Sequence, residues 1–279
     1  MIAMIYAKVA TRLADLTGKD YFGSLVVELS HLVVADVVLI SEVADTDKQA
    51  RTVAVFNDGE IADNFEFSLA ESPFASLLDG TNVMITEHIQ QQFPEDYLLA
   101  DLSIDAFAGV PLLNGSGKVN GFIVAMYRQP IENISMVEHA LIFFAKRASA
   151  ELERKLSTDK LKESESYLSG IIALTDDVLI FTDLHGTIRM TSPSMTTRFG
   201  WSPGDVEGVS FADFLAEDTR QLGIQEFEKC ISSGLPRLKL NLKIRHKAGM
   251  VCPVTWSSIT TRINNEINGV VGIIQELPK

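Results

Sequence analysis

The sequence has little cysteine and, over one long stretch, no basic residue. Its 279 residues include two cysteines, Cys230 and Cys252, too few for the disulfide framework of a secreted protein or for a structural zinc cage. Residues 52–117 contain no Lys or Arg but eleven Asp and Glu. Such a surface repels phosphate backbones and anionic lipid, so we expect no nucleic acid among the partners of this half.

The chain also lacks a long apolar run. The longest one, residues 32–40, contains Asp36 and is too short to span a bilayer. The first residues are amphipathic and do not have the basic and then apolar order of a signal peptide. We therefore expect a soluble, cytoplasmic protein without a membrane span.

Catalytic motifs are missing as well. Neither a glycine-rich phosphate loop nor a serine elbow occurs, and the run that contains Glu60, Asp63, Glu66 and Glu71 is typical of a solvated loop and strand edge. The histidines stand apart from other ligating side chains, which predicts no metal site; they are His31, His88, His139, His185 and His246. We predict no catalytic residues and expect a binding or signalling protein, not an enzyme.

What is present suffices for two domains. Hydrophobic residues make up 46% of the chain, enough for packed cores. Of the net charge of −13, the first 157 residues carry −11 and the remaining 122 carry −2. The acidity is therefore a property of one half.

The order of elements predicts an α+β fold in the first half. Helix-like spacing covers residues 3–16 and 20–35, and a polar helix is predicted over 90–102. Strands are predicted at 36–43, 51–56 and 83–85, and residues 105–127 read as a hairpin turning at Asn114 to Gly117. We therefore expect a mostly antiparallel sheet flanked by helices.

A long helical pattern follows, over residues 135–169. Beyond Leu152 it becomes rich in charge with a narrow apolar seam of Leu152, Leu156, Leu161 and Leu168, which favours pairing with another helix, as in a coiled coil. The alternative, above all for residues 135–150, is a final helix packed on its own sheet. The last third predicts two strands, short helices and three long strands, which form a five-stranded sheet with helices on one side.

Two stretches resemble known sensory families. Residues 20–155 resemble a GAF domain. The segments that carry this resemblance are YFGSLVVELSHLVVADVVLI, RTVAVFNDGEIADNFEFSLAESPF and FFAKRASAELER. Residues 160–279 resemble a PAS domain. The resemblance is carried by Asp183, Gly186 and Ile188, by the segment from Gly200 to Gly208, and by GVVGIIQELPK. The predicted organisation is a GAF-like domain at 1–134, a connecting signalling helix at 135–169 and a PAS-like domain at 170–279.

The resemblance implies a role in bacterial signal transduction. Such tandems lie upstream of histidine kinases of two-component systems or diguanylate cyclases of cyclic-di-GMP signalling, form dimers and transmit a change along helices. A homodimer and a downstream output domain or partner protein are the implied partners, together with a small-molecule ligand.

Departures from the family patterns limit the cofactors, and none is assigned. Related GAF domains often have Thr-Pro-Cys where this chain has Ser72-Pro73-Phe74, and the absence of cysteine there excludes a thioether-linked bilin and the chemistry of a GAF-type methionine sulfoxide reductase. The cyclic-nucleotide motif and the cysteine motif of flavin photoreceptors are missing too. Where many PAS domains have Asn-x-Ala, this chain has Ser192-Pro193-Ser194.

Each domain type can hold a ligand between its sheet and its helices. The PAS-like candidates are Met190, Thr191, Ser192, Phe211, Phe214, Phe227, His246 and Trp256. The GAF-like candidates are Phe56, Phe65, Phe74, Met84, Phe107 and Met126. The alternative is that these residues fill the cores, and that the pair is a ligand-free dimerisation and protein–protein interaction scaffold whose acidic face contacts a basic partner.

Overall fold

The computed structural model describes residues 2–44 and 48–277, which divide into two compact units, Met1–Leu161 and Lys162–Lys279. Among these residues no helix is long and apolar enough to cross a membrane. Each unit is built on one antiparallel sheet, and the long helix α6 (Ile134–Leu174) lies between the two sheets in chain order. The two sheets with their helices confirm the predicted α+β class.

The first unit alternates helices and strands without a regular βαβ repeat. Before α6 its elements are α1 (Ile2–Leu13), α2 (Gly18–Val33), β1 (Val37–Val43), β2 (Gln49–Asn57), β3 (Glu60–Ala62), β4 (Glu66–Ser68), α3 (Pro73–Leu78), β5 (Val83–Ile85), α4 (Ile89–Gln92), α5 (Tyr97–Asp101), β6 (Ala106–Leu113) and β7 (Val119–Tyr127). The strand order is β3-β2-β1-β7-β6-β5, and β4 pairs with β2 as well. The predicted hairpin is present as β6 and β7.

The sheet of the first unit has an apolar core on each face because β1, β6 and β7 are buried on both sides. On one face, α1, α2 and the first half of α6 pack over strand residues such as Val38, Ile123 and Ala125. On the other face, α3 and the segment of α4 and α5 pack over Leu39, Phe107 and Phe122. The second face carries the candidate site of this unit.

The second unit has the order of elements that the sequence predicts. After α6 come β8 (Val178–Thr182), β9 (Ile188–Thr191), α7 (Ser194–Phe199), α8 (Pro203–Val206), a 3-10 turn at Phe211–Phe214, α9 (Glu217–Ser233), β10 (Arg237–Arg245), β11 (Val251–Ile263) and β12 (Glu266–Glu276). The strand order is β10-β11-β12-β8-β9. A single core, on the face covered by α9 and the short helices, holds Ile180, Phe227 and Val254.

The continuous polar helix predicted over 90–102 is wrong. The structure has two short helices, α4 and α5, separated by Phe93 to Asp96. Pro94 lacks an amide hydrogen, and its ring disfavours helical backbone at Phe93. Asp96 then starts the second helix, since its Oδ1 accepts hydrogen bonds from the amides of Leu98 and Leu99 at 2.9 and 3.2 Å.

Candidate functional site

The first unit carries a surface cleft of about 740 Å³ on the face of its sheet that α3 and α5 cover. One wall is β4 with the residues before α3, and the other is the start and end of α5. The cleft is lined by Phe65, Glu66, Phe67, Ser68, Ala70, Glu71, Glu95, Asp96, Tyr97, Leu98, Asp101 and Leu102. This volume lies in the usual range for small-molecule sites.

Local structure explains why the two walls stand apart. β4 pairs with only three residues of β2. The chain then turns at Glu71, whose φ is 55°, and the Ser72 hydroxyl donates to the Leu69 carbonyl at 2.8 Å. On the other side, the break after Pro94 and the cap at Asp96 set the direction of α5. The cleft therefore lies beside two places where short polar sequences interrupt the regular secondary structure, at Glu71 and near Pro94.

Four of the six predicted GAF-like candidates lie on the face of this cleft. Phe65 lines the cleft itself, and its ring centroid lies 5.9 Å from that of Phe67. Phe67 contacts Phe74 at 4.6 Å, and Phe74 contacts Phe107 at 5.2 Å. Met126 lies opposite Phe107 in the pairing of β6 and β7. These rings extend from the cleft into the core without a break.

The other two GAF-like candidates lie on the opposite face of the sheet. Phe56 packs in the core under α2, and its ring lies 6.0 Å from that of His31. Met84, half-buried, packs against the same core. The structure therefore does not bring these two residues to the cleft.

In the second unit the aromatic candidates pack against one another. Phe211 lies 4.8 Å from Phe227 and 5.5 Å from Trp256 between ring centroids, and Phe214 lies 5.2 Å from Trp201. The cavity that three of these rings line measures about 10 Å³. Such a volume holds about one water molecule at most. These rings therefore pack closely against one another in the core of the second unit.

The polar PAS-like candidates are engaged with the backbone. The Thr191 hydroxyl donates to the Leu179 carbonyl at 3.2 Å, and the Ser192 hydroxyl accepts from the Leu179 amide at 2.9 Å. His246 Nδ1 accepts from the Ala248 amide at 3.0 Å, within the turn between β10 and β11. These bonds give all three side chains a structural partner.

Met190 lies apart from the other PAS-like candidates. It is 39% exposed and stands opposite Phe181 in the pairing of β8 and β9. Residues directly opposite in an antiparallel pair share a face. Phe181 alternates with the buried Ile180 and Thr182, so Met190 lies on the outer face of the sheet, away from the core.

The loop at Gly200-Trp201-Ser202, which carries part of the PAS resemblance, is held by polar contacts. Asp205 accepts hydrogen bonds from the Ser202 amide, the Ser202 hydroxyl and Lys247 Nζ, at 2.9, 2.6 and 2.6 Å. Trp201 Nε1 donates to the Arg245 carbonyl at 2.7 Å. The hydrogen bonds from Lys247 and Ser202 lower the pKa of Asp205 to about 2.

We expect the second unit to lose stability as the pH falls from the ordinary Asp pKa of 3.8 to about 2. A carboxyl whose pKa is lower in the folded state contributes stability above the unfolded pKa and loses it as the folded pKa is approached. Asp205→Asn should make the urea midpoint of this unit less dependent on pH in that window. Glu207→Gln, which removes an exposed carboxyl without a described partner, is the control, and an equal change in both variants would contradict the assignment.

Helix α6 changes character along its length. Val137, Leu141 and Phe144 are buried in the first unit, and so is Leu152, which is fully buried. The prediction that Leu152 belongs to an exposed seam is therefore wrong: its side chain fills the core above β7. Leu156 is half-buried against the same core. Of the four leucines of the predicted seam, only Leu161 and Leu168 are exposed, at 61% and 57%.

The sequence pattern does not mark the carboxylates of the cleft as one set. Of the acidic run that contains Glu60, Asp63, Glu66 and Glu71, the last two line the cleft and the first two do not. Glu95, Asp96 and Asp101 come from the segment predicted as one helix. The signal that points to them is Pro94 followed by Asp96, a helix stop and a new cap. Within the described residues, no group of three or more His, Cys, Asp or Glu is placed to hold a metal ion.

Comparisons with known proteins bear on both units. The family model of the PAS fold matches residues 166–277. None of the curated proteins matches the chain. Similar solved structures include the GAF domain of an Acinetobacter phosphoenolpyruvate-protein phosphotransferase, with 16% identity over 56% of this chain and 94% of that one and a TM-score of 0.48.

Two further structures are similar. The GAF domain of a Coxiella burnetii phosphoenolpyruvate-protein phosphotransferase has 13% identity over 57% of this chain and 96% of that one, with a TM-score of 0.47. The PAS domain of a Colwellia psychrerythraea protein has 16% identity over 40% of this chain and 95% of that one, with a TM-score of 0.38. The family match agrees with the resemblance to the PAS fold that the sequence predicts for this part of the chain.

Proposed function

We propose that the chain is the cytoplasmic sensory region of a signal-transduction protein and is not itself an enzyme. A small ligand binds in the cleft of the first unit, and the signal passes along α6 of a parallel homodimer to an output domain or partner protein. In this proposal residues 1–134 form the sensory domain, 135–169 the signalling helix and 170–279 the second sensory domain. The match of residues 166–277 to the PAS fold, together with the resemblance of residues 20–155 to a GAF domain, supports a sensory and regulatory role.

The observation that carries the proposal is the exposure of α6 beyond Leu156. Leu161, Leu168 and Ile171 are each more than half exposed, and their spacing of seven and three residues places them on one side of the helix. An exposed apolar seam of that spacing is covered when a second helix packs along it. A second copy supplies an identical seam in register, which is why the proposal names a parallel homodimer.

We expect Leu161→Asp combined with Leu168→Asp to weaken the dimer at least about tenfold, because each introduces a charge that the paired helices would have to desolvate. The control is Ser166→Asp combined with Ala173→Asp, which places the same charges on the opposite side of the helix. Sedimentation and native mass spectrometry measure the particle mass, and the latter also detects a retained small molecule. A wild-type monomer at high micromolar concentration, or equal loss in both variants, would overturn the proposed dimer.

A ligand-free scaffold is the second candidate, and the PAS core favours it for the second unit. The cavity that Phe211, Phe227 and Trp256 line there leaves room for about one water molecule at most. The outer face of its sheet exposes Met190, Ile259 and Ile273 at 39%, 49% and 40%, a surface suited to protein contact. A dimer without any retained small molecule in the native spectrum would favour this candidate over the sensor.

A further inference from the structure

One stretch of α6, residues 157–171, is exposed on every side of the helix. None of its residues belongs to the hydrophobic cores of the part of the chain that the structure describes. The stretch contains four serines and Gly170, which are weaker helix formers than alanine or leucine. A helix of about 15 residues without packing is marginal in water. This stretch therefore requires a partner along its apolar side.

The spacing of the apolar residues in this stretch assigns the positions of a heptad repeat. Leu161 and Leu168 are seven residues apart, and Ile171 follows three residues later, which corresponds to positions a, a and d. Ser157 and Ser164 then occupy the earlier d positions. The g and e positions, which flank the seam, are occupied by Lys160, Glu165, Tyr167 and Ile172.

A parallel pair in register brings unlike charges together along this seam. In that arrangement a g residue of one helix faces the e residue five positions later in the other. Lys160 then faces Glu165 of the second copy, and Tyr167 faces Ile172. The twofold symmetry of a homodimer repeats each contact on the other side of the seam. Within the described residues neither Lys160 nor Glu165 has an ion pair, so both are available for this contact.

An antiparallel pair brings like charges together. If Leu161 lies opposite Ile171 of the second copy, e residues face e residues and g residues face g residues. Glu165 then faces Glu165 of the second copy, and Lys160 lies beside the apolar Leu174. Like charges at such positions are destabilising. The charges beside the seam therefore fit a parallel pair and oppose an antiparallel one.

We propose that Lys160 and Glu165 select a second copy of this chain, parallel and in register, as the partner that covers the seam of Leu161, Leu168 and Ile171. The inference rests on the homodimer of the proposed function and names the residues that fix its orientation. Exposed ion pairs contribute little affinity, so the leucines hold the helices together while the two charged pairs exclude the antiparallel arrangement.

The first test reverses the charges and measures dimerisation of the whole chain by sedimentation equilibrium at low ionic strength. Lys160→Glu and Glu165→Lys should each weaken the dimer about tenfold, because two attractions become two repulsions. The variant with both changes should regain the wild-type affinity to within about twofold, and 1 M salt should reduce all these differences. Lys162→Glu is the matched control, since it makes the same change of charge at an exposed position that faces away from the seam.

The second test reports orientation through a disulfide between copies. Ser164→Cys places a thiol at a d position, where a parallel pair brings it opposite its own copy, whereas the antiparallel pair places it opposite Leu168. Mild oxidation should therefore give a linked dimer on a non-reducing gel. Ser166→Cys, on the opposite side of the helix, and the wild-type chain with Cys230 and Cys252 are the controls and should stay unlinked.

The outcomes separate this inference from the proposed function. A dimer that tolerates Lys160→Glu, a double variant that does not recover, or equal linking at Ser164→Cys and Ser166→Cys would overturn the charge selection. If that dimer still dissociates on Leu161→Asp combined with Leu168→Asp, the homodimer of the proposed function stands. A wild-type monomer at high micromolar concentration overturns both.

Discussion

Leu152→Ala is expected to destabilise the first unit by about 2–5 kcal/mol, the usual cost of truncating a fully buried leucine. The side chain is 0% exposed, packs in the core formed by α1, α2 and α6, and reaches the strand at Gly121. Small domains have a total stability of about 5–15 kcal/mol, so the loss is a large fraction of it. Chemical denaturation of the purified chain, followed by circular dichroism, measures it.

Leu161→Ala is the matched control for Leu152→Ala. It removes the same atoms from the same helix nine positions later, where the side chain is 61% exposed. Its effect on the free energy of unfolding should stay within about 0.5 kcal/mol, while the proposed dimer weakens. If Leu152→Ala instead kept the full unfolding free energy and lost only the dimer, Leu152 would belong to the seam after all and the packing described for α6 would be wrong.

Gly121→Ala should be at least as damaging, at about 3 kcal/mol or more. A Cβ atom at Gly121 would lie 1.9 Å from the Ser41 carbonyl oxygen and 2.6 Å from Leu152 Cδ2. Leu152 can change rotamer, but the carbonyl belongs to β1, which pairs with β7 through Glu42 and Gly121. Relief therefore requires separating two central strands. Thermal denaturation should show the first unit melting at a much lower temperature.

Gly23→Ala, in α2 of the same unit, is the control for Gly121→Ala. There the added Cβ would meet only Ile61 Cδ1, at an ordinary contact distance of 3.6 Å. Alanine in a helix is favoured over glycine by about 1 kcal/mol, so this variant should be slightly more stable. The same chemical change thus has opposite expected signs at two positions. A tolerated Gly121→Ala would show that β1 and β7 are not packed as described.

Much of the fold is predictable because local patterns and burial agree. The β6 and β7 hairpin follows from two apolar runs around Asn114 to Gly117, and the structure pairs Ala106 with Tyr127 at its open end. The five strands of the second unit follow from alternation, as in Leu242 and Ile244, which are buried between exposed neighbours. In these segments each residue's environment depends mostly on its own strand.

The candidate site is harder to predict than the fold, because its residues come from separate segments of the chain that meet only in the folded protein. Phe56 and Phe107 are both buried aromatics on strands, and alternation alone does not tell which face of a doubly covered sheet each one occupies. The residues on both sides of Pro94 have helical spacing, which predicts one continuous helix and hides the interruption there. That break separates α4 from α5 and brings Asp96 and Asp101 to the wall opposite β4.

Composition and periodicity thus predict two α+β units, a helix between them in chain order and an acidic first half, and the motif residues around Asp183 and Gly200 add the resemblance to a PAS domain. These are properties of single segments, so they do not depend on how the segments pack against one another. Packing decides the rest: that Leu152 is core while Leu161 is surface, that Phe211, Phe227 and Trp256 leave a cavity of only about 10 Å³, and that five carboxylates line one cleft. The reason is that burial and electrostatic fields are properties of several segments together, and no segment carries them alone.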